Sequence, residues 1–175
     1  MLFKRLAQLG MGSSLLAVLI AMYYKTSSCL NLNGNIYESF DIYTGVKQGA
    51  ATSALLFIIY IDQIIQFLKD NCPREYLLDD LHILLHADDA LIFSTNRKLF
   101  IDKCNKTINK FTSMQLSLNV GKSGFLVINS SNVLDKLPIN TNIGYLPYKS
   151  QIKYLGVIVS DTGSLINDIN ILVNN

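Results

Sequence analysis

Hydrophobic spacing divides the chain into helical and extended stretches. Met1 to Leu9 places apolar residues at helical steps and stops at Gly10, as suits a helix C-terminus. A second helix is predicted from Ser14 to Lys25, with Ser13 and Ser14 where an N-cap belongs. Strands from Cys29 to Leu32 and Ile36 to Tyr43 flank Asn33-Gly34, which supplies the positive φ that a type I′ hairpin turn needs at both central positions. From Ser53 to Asp70, residues Leu55, Leu56, Phe57, Ile58, Ile59, Ile61, Ile64, Ile65 and Leu68 cover nearly every side of one helix. That pattern predicts a spine buried all round. Two apolar runs, Leu81 to His86 and Ala90 to Ser94, predict a tight hairpin with Ala87, Asp88 and Asp89 at its turn. An amphipathic helix from Arg97 follows, with Ile101, Cys104, Ile108, Phe111 and Met114 inward and Asp102, Lys103, Lys106, Asn109 and Lys110 outward. Further strands are predicted at Gly124 to Ile128 and at Lys153 to Val159.

The order of these elements predicts an α+β fold: an antiparallel sheet with the helices from Ser53 and Arg97 packed on one face. With 175 residues, 50% of them hydrophobic and 16% charged, the chain can bury a core and is not a disordered polypeptide. The net charge of +2 neither establishes nor excludes a nucleic-acid partner. Cys29, Cys72 and Cys104 are widely spaced and odd in number, so they imply neither a zinc site nor a disulfide framework. Residues 1–24 imitate a signal peptide, with Lys4 and Arg5 ahead of an apolar run from Leu15 to Met22. The run falls short of the roughly 20 residues that span a bilayer. A buried helix pair is the favoured reading, and with it an intracellular location, nuclear or cytoplasmic, with no membrane partner.

Adjacent carboxylates at a hairpin tip repel each other, and a divalent cation relieves that conflict. Hard Mg²⁺ prefers carboxylate oxygens and keeps waters that a phosphate can displace. The dipeptide alone fits a solvated acidic turn better. A second feature shifts the balance. Gly45-Val46-Lys47-Gln48-Gly49 leads into a helix N-terminus at Ser53, where exposed N–H groups favour a polar or anionic ligand.

In their order and spacing these features resemble the conserved blocks of non-LTR retrotransposon reverse transcriptases. Gly45 to Gly49, then Ser53, Leu55 to Phe57 and Tyr60 to Asp62, look like the family's glycine-glutamine block. Ala87-Asp88-Asp89 looks like its catalytic hairpin, Leu118 to Ser123 like its asparagine-lysine block, and Tyr154-Leu155-Gly156-Val157 like its primer-grip block. The resemblance implies a polymerase palm and two-metal nucleotidyl transfer with Mg²⁺ or Mn²⁺. It also implies an RNA template, a DNA primer and a dNTP as partners of the parent enzyme. On the same footing Asp88 and Asp89 would be catalytic metal ligands, Gln48 and Gly49 would line the nucleotide pocket, and Lys122 would lie near the pyrophosphate as a catalytic general acid. Tyr154, Leu155 and Gly156 would steady the primer terminus. Residues 1–44 would be the helix pair and hairpin before the nucleotide turn, 45–130 the palm core, and 131–175 the primer-grip strands and C-terminal segment.

Some positions depart from the family pattern. His86 stands where an aromatic residue usually precedes Ala-Asp-Asp, Ala54 replaces a proline, and Ala50-Ala51 replaces the commoner Cys-Pro. The first catalytic carboxylate has no counterpart in position: Glu38 and Asp41 are the acidic residues before the glycine turn, and Asp41 lies on the hairpin leading into it. The expectation is an incomplete palm, inactive alone. The rival readings are a non-enzymatic retroelement remnant or binding module that keeps the palm fold, a secreted or membrane-anchored protein using residues 1–24, and a metal-dependent phosphohydrolase. For the last, His82 and His86 are expected on one face of the strand entering the turn.

Overall fold

Helix α1 (Leu2–Gln8) ends in a left-handed turn at Gly10, φ 86°. Gly10 N–H bonds to the Ala7 carbonyl at 3.0 Å and Met11 N–H to the Leu6 carbonyl at 3.1 Å. This is the paired closure that satisfies a helix's last carbonyls. Helix α2 (Ser13–Tyr23) follows at once, and Gly12 occupies its N-cap in place of the expected Ser13 or Ser14. The Leu16 N–H bonds to the Gly12 carbonyl at 3.0 Å, so the helix begins one residue early and neither serine hydroxyl caps it. Leu6 and Leu19 pack against Leu56 of α3 (Ser53–Ile61), with Phe3, Leu16, Tyr23, Val46 and Ile59 around them.

Between α2 and α3 the chain runs through short strands β1 (Ser27–Ser28), β2 (Asn31–Leu32), β3 (Asn35–Ile36) and β4 (Phe40–Asp41). β2 pairs with β3 across Asn33 (φ 53°) and Gly34 (φ 87°), the positive-φ pair that the sequence demands. β1 pairs with β4, so the hairpin continues after an interruption.

The computed structural model describes residues 1–163, and the end of the predicted C-terminal segment, 164–175, lies outside the described residues. Two compact units are present. One comprises Met1–Gln66 with Leu85–Asp89; the other comprises Phe67–Leu84 with the residues from Ala90 onward. The expected single helix from Ser53 to Asp70 is two helices, α3 and α4 (Gln63–Asn71). At the junction Ile65 N–H bonds to the Asp62 carbonyl at 3.0 Å, a tighter i→i+3 turn, and Gln63 Nε2 donates to the Tyr60 carbonyl at 2.9 Å. Nor is α3 buried all round: Leu55 is 59% exposed and Ile58 56%. Apolar composition allows burial on every side but does not supply a neighbour for every side.

The hairpin arms β5 (Ile83–His86) and β6 (Asp89–Ile92) precede α5 (Arg97–Ser113); of them Ile83, Leu84 and Ala90–Ile92 belong to the second unit, as does α5. Asn96 caps α5 by accepting from Lys98 N–H at 2.8 Å and Leu99 N–H at 3.3 Å. Cys104 of α5 packs with Phe125, Ile139 and Leu146, surrounded by Ile92, Phe100, Ile101, Val127 and Tyr148. Gly124 to Ile128 is not a strand. It makes one parallel bridge, Phe125 to Tyr148, with Phe125 N–H on the Pro147 carbonyl at 3.0 Å. Two ladders follow a 3-10 turn (Val133–Lys136): β7 (Ile139–Thr141) with β8 (Gly144–Leu146), and β9 (Gln151–Tyr154) with β10 (Val157–Ser160).

The α+β class and the antiparallel pairing are as expected. The strands, however, form five two-stranded ladders among the described residues, not one continuous sheet. Every strand among the described residues is two to four residues long, short of the usual five or six.

Candidate functional site

The base of the β5–β6 hairpin is where the second unit concentrates buried charge. Lys103, placed outward by helical periodicity, is 1% exposed, and its ammonium is paired with Glu75 in a very short contact. It also donates to the Phe93 carbonyl at 2.9 Å. The Glu75 carboxylate accepts from Ser94 Oγ at 2.9 and 3.0 Å, from Thr95 N–H at 2.6 Å and from Thr95 Oγ1 at 2.7 Å. Burial alone would raise the Glu75 pKa; the bonds from Lys103, Thr95 and Ser94 outweigh it and hold the group at about 2. A buried lysine is tolerable only with such pairing. The sequence pattern missed it because Glu75 stands 28 residues from Lys103, and periodicity along one helix carries no record of a distant counter-charge.

His82 lies beside this network and is 2% exposed, and among the described residues neither its Nδ1 nor its Nε2 has a hydrogen-bond partner. Burial lowers its pKa, the Lys103 cation lowers it further, Asp80 and Glu75 oppose, and Lys69 adds to the lowering. The ring is therefore neutral near pH 7. His86 is exposed, so the two histidines do not share one surface as strand alternation suggested. His82 precedes β5, where the strict alternation has not begun. Among the described residues no group of three or more His, Cys, Asp or Glu side chains is placed to hold a metal ion.

At the closed end of the hairpin, Ala87 adopts φ 49°, a left-handed conformation that costs a residue with a Cβ about 1–2 kcal/mol. Asp88 completes the turn and Asp89 opens β6; both are exposed. Strained non-glycine turns of this kind persist where the surroundings over-determine them. The paired carboxylates supply hard oxygen ligands suited to Mg²⁺ or Mn²⁺. Two such ligands fit one edge of a divalent-cation site and do not complete it.

The glycine turn folds as a loop locked onto α3. Gly45 (φ 92°) and Gly49 (φ 81°) are left-handed, and a Cβ on either would meet nothing within 4 Å. Conformation, not crowding, requires glycine there. Ser53 Oγ donates to the Lys47 carbonyl at 2.5 Å and lies 3.5 Å from the Tyr23 hydroxyl, which ties the loop to the α3 N-terminus. Gln48 and Gly49 are left exposed. The hairpin tip, Leu85–Asp89, falls in the same compact unit as this loop.

The remaining candidate positions belong to the other unit. Lys122 is exposed in a turn rather than at a strand start; its N–H bonds to Asn119 at both the carbonyl and Oδ1, each at 3.2 Å. Tyr154, Leu155 and Gly156 are not one strand. Leu155 (φ 49°) and Gly156 (φ 87°) form the two-residue turn between β9 and β10, with Tyr154 opposite Val157. Two successive positive-φ positions make the type I′ geometry that lets a two-residue loop match strand twist. The glycine in Leu-Gly was the available signal, masked by the apolar residues around it.

A large apolar cavity of about 1070 Å³ also lies within the second unit, lined in part by Phe100, Cys104, Phe111, Phe125, Ile152 and Tyr154. Burial pushes the Cys104 thiol up to about 12, so it is an inert packing group. No helix among the described residues is long and apolar enough to cross a membrane. In comparison with known families, residues 2–159 match the reverse transcriptase (RNA-dependent DNA polymerase) family.

Proposed function

This chain belongs to the reverse transcriptase (RNA-dependent DNA polymerase) family, and from that premise we propose that it is the palm region of a non-LTR retrotransposon enzyme, incomplete by itself. Members of the family generally use divalent metal ions and act on nucleic acid. In this reading Asp88 is a metal ligand and Asp89 a neighbouring ligand, with Mg²⁺ or Mn²⁺ as the ion. When bound, the ions supply activation of the primer hydroxyl and neutralisation of the triphosphate. The residues of this chain bind and orient. Gln48 and Gly49 offer an exposed loop edge to the nucleotide, Lys122 an ammonium for the pyrophosphate, and the Tyr154–Gly156 turn a backbone support for the primer end. RNA template, DNA primer and dNTP are the partners.

The observation that carries the reading is the grouping of the Asp88–Asp89 tip with the Gly45–Gly49 loop in one compact unit. Support for incompleteness comes from two sources. The Ala87-Asp88-Asp89 block supplies two carboxylates, whereas two-metal chemistry needs a further shared ligand. The first unit also leaves Leu30, Leu32, Ile36, Tyr37 and Phe40 largely exposed, more apolar surface than a finished domain ordinarily shows to water.

Primer extension on an RNA template, with Mg²⁺ and then Mn²⁺, tests the proposal on the purified 175-residue polypeptide. No template-dependent incorporation is expected. Incorporation that Asp88→Ala abolishes would show that the site is complete and overturn the claim of incompleteness. Incorporation that survives Asp88→Ala would remove this hairpin from the chemistry altogether.

A further inference from the structure

A two-stranded hairpin that must present side chains accurately has a register problem. β5 and β6 pair only with each other among the described residues, and isolated two-stranded ladders are marginal in water. A slip of one residue would turn every side chain to the opposite face, Asp88 and Asp89 included. The closed end cannot set the register alone, because Ala87 is a poor occupant of its left-handed position.

The open end is different. Phe93 N–H donates to the His82 carbonyl at 3.1 Å, joining the chain entering β5 to the chain leaving β6. The carbonyl of the same residue accepts from Lys103 Nζ at 2.9 Å. The next two residues, Ser94 and Thr95, are held by the Glu75 carboxylate, to which Lys103 is paired. Three consecutive residues at the exit of β6 are thus fixed by one buried ion pair. A smooth apolar core could not do this, since packing is non-directional and tolerates a shift along a strand, whereas these bonds do not.

We infer that Glu75 and Lys103 are positioning residues for the Asp88–Asp89 turn, acting through the open end of the β5–β6 hairpin. The inference rests on the proposed role of that turn in holding a divalent cation. It adds that the cation's ligands are aligned by a buried pair that never touches it. Supporting groups of this sort alter metal affinity by about 10- to 100-fold when lost.

The test is amide NMR on the full chain, wild type against Glu75→Gln, with Ile139→Ala as a control that cuts a cavity elsewhere in the same unit. Two readouts are taken: hydrogen exchange at Phe93 and along β5 and β6, and the Mn²⁺ concentration that broadens the Asp88 and Asp89 amides. Glu75→Gln is expected to speed exchange in the hairpin and to weaken Mn²⁺ at the tip by about tenfold or more, whereas Ile139→Ala leaves both unchanged relative to the rest of its unit. Unaltered exchange and broadening in a folded Glu75→Gln chain would overturn the inference. So would equal disturbance of the tip by Ile139→Ala, which would reduce the pair to general stabilisation. Should Glu75→Gln not fold, Lys103→Arg takes its place: it keeps the charge but misplaces the bond to Phe93, and the same two outcomes apply. Absence of Mn²⁺ broadening at Asp88 and Asp89 in the wild type would sink the cation-binding reading instead, while faster exchange confined to the hairpin in Glu75→Gln would still sustain the clamp.

Discussion

The open and closed ends of the β5–β6 hairpin handle charge in opposite ways. At the open end, Lys103 and Glu75 are withdrawn from water and their bonding capacity is met by each other, Phe93, Ser94 and Thr95. At the closed end, Asp88 and Asp89 face solvent, and among the described residues neither carboxylate has an ion pair or side-chain hydrogen bond. Both arrangements place charge at an end of the hairpin, but one is internally paired and the other open. A saturated group stabilises and cannot bind anything new; an open one binds and contributes little to the fold. Direct ligand contact therefore belongs to the closed end alone: substitutions there should change affinity with little effect on stability, whereas substitutions at the open end should change both.

The largest effect is expected at the saturated end. Lys103→Met leaves Glu75 buried without its counter-charge, which costs about 3–5 kcal/mol. A urea titration followed by circular dichroism should show the midpoint falling accordingly, and a change within about 0.5 kcal/mol, the range of an ordinary surface site, would mean that the pair contributes nothing. Acid should act at the same place in two stages. The buried His82 has a folded pKa below its unfolded value near ~6.5, so its neutral form favours folding above that pH and the benefit is lost as pH falls. Glu75, at about 2 against an ordinary 4.5, keeps its contribution above 4.5 and loses it as pH descends toward 2. Melting temperatures at several pH values should begin to fall below ~6.5 in the wild type. In His82→Phe they should hold until the carboxylate window; identical profiles would rule out the histidine.

Smaller effects belong to the turn. Ala87→Gly removes the Cβ from a left-handed residue and should stabilise by about 1 kcal/mol, readable as a higher urea midpoint; a loss would show that the turn relaxes in solution. Asp89→Asn should shift stability by no more than about 0.5 kcal/mol while weakening Mn²⁺ at the tip in the NMR titration. A strongly destabilised Asp89→Asn chain would erase the contrast between the two ends.

Much of this arrangement is local enough to be read from the residues. Gly10 stops α1, Asn33-Gly34 makes its turn, and the three- and four-residue spacing from Ile101 to Met114 makes α5. The division of the Ser53–Asp70 stretch at Asp62 was hidden, because apolar residues continue across it. So was the Leu155–Gly156 turn, and so were β7 and β8, whose Ile139 and Leu146 are inward positions in strands of three residues, too brief to establish a period.

The sequence by itself determined helices α1, α2 and α5, the Asn-Gly hairpin and the two adjacent aspartates, since each depends on residues within a few turns of one another. Only the tertiary structure decided that Lys103 is internal, that Glu75 holds the base of the hairpin, and that the acidic tip groups with the glycine loop. Those outcomes depend on pairs far apart in the chain, and a desolvated charge takes its place from whichever counter-charge folding brings to it.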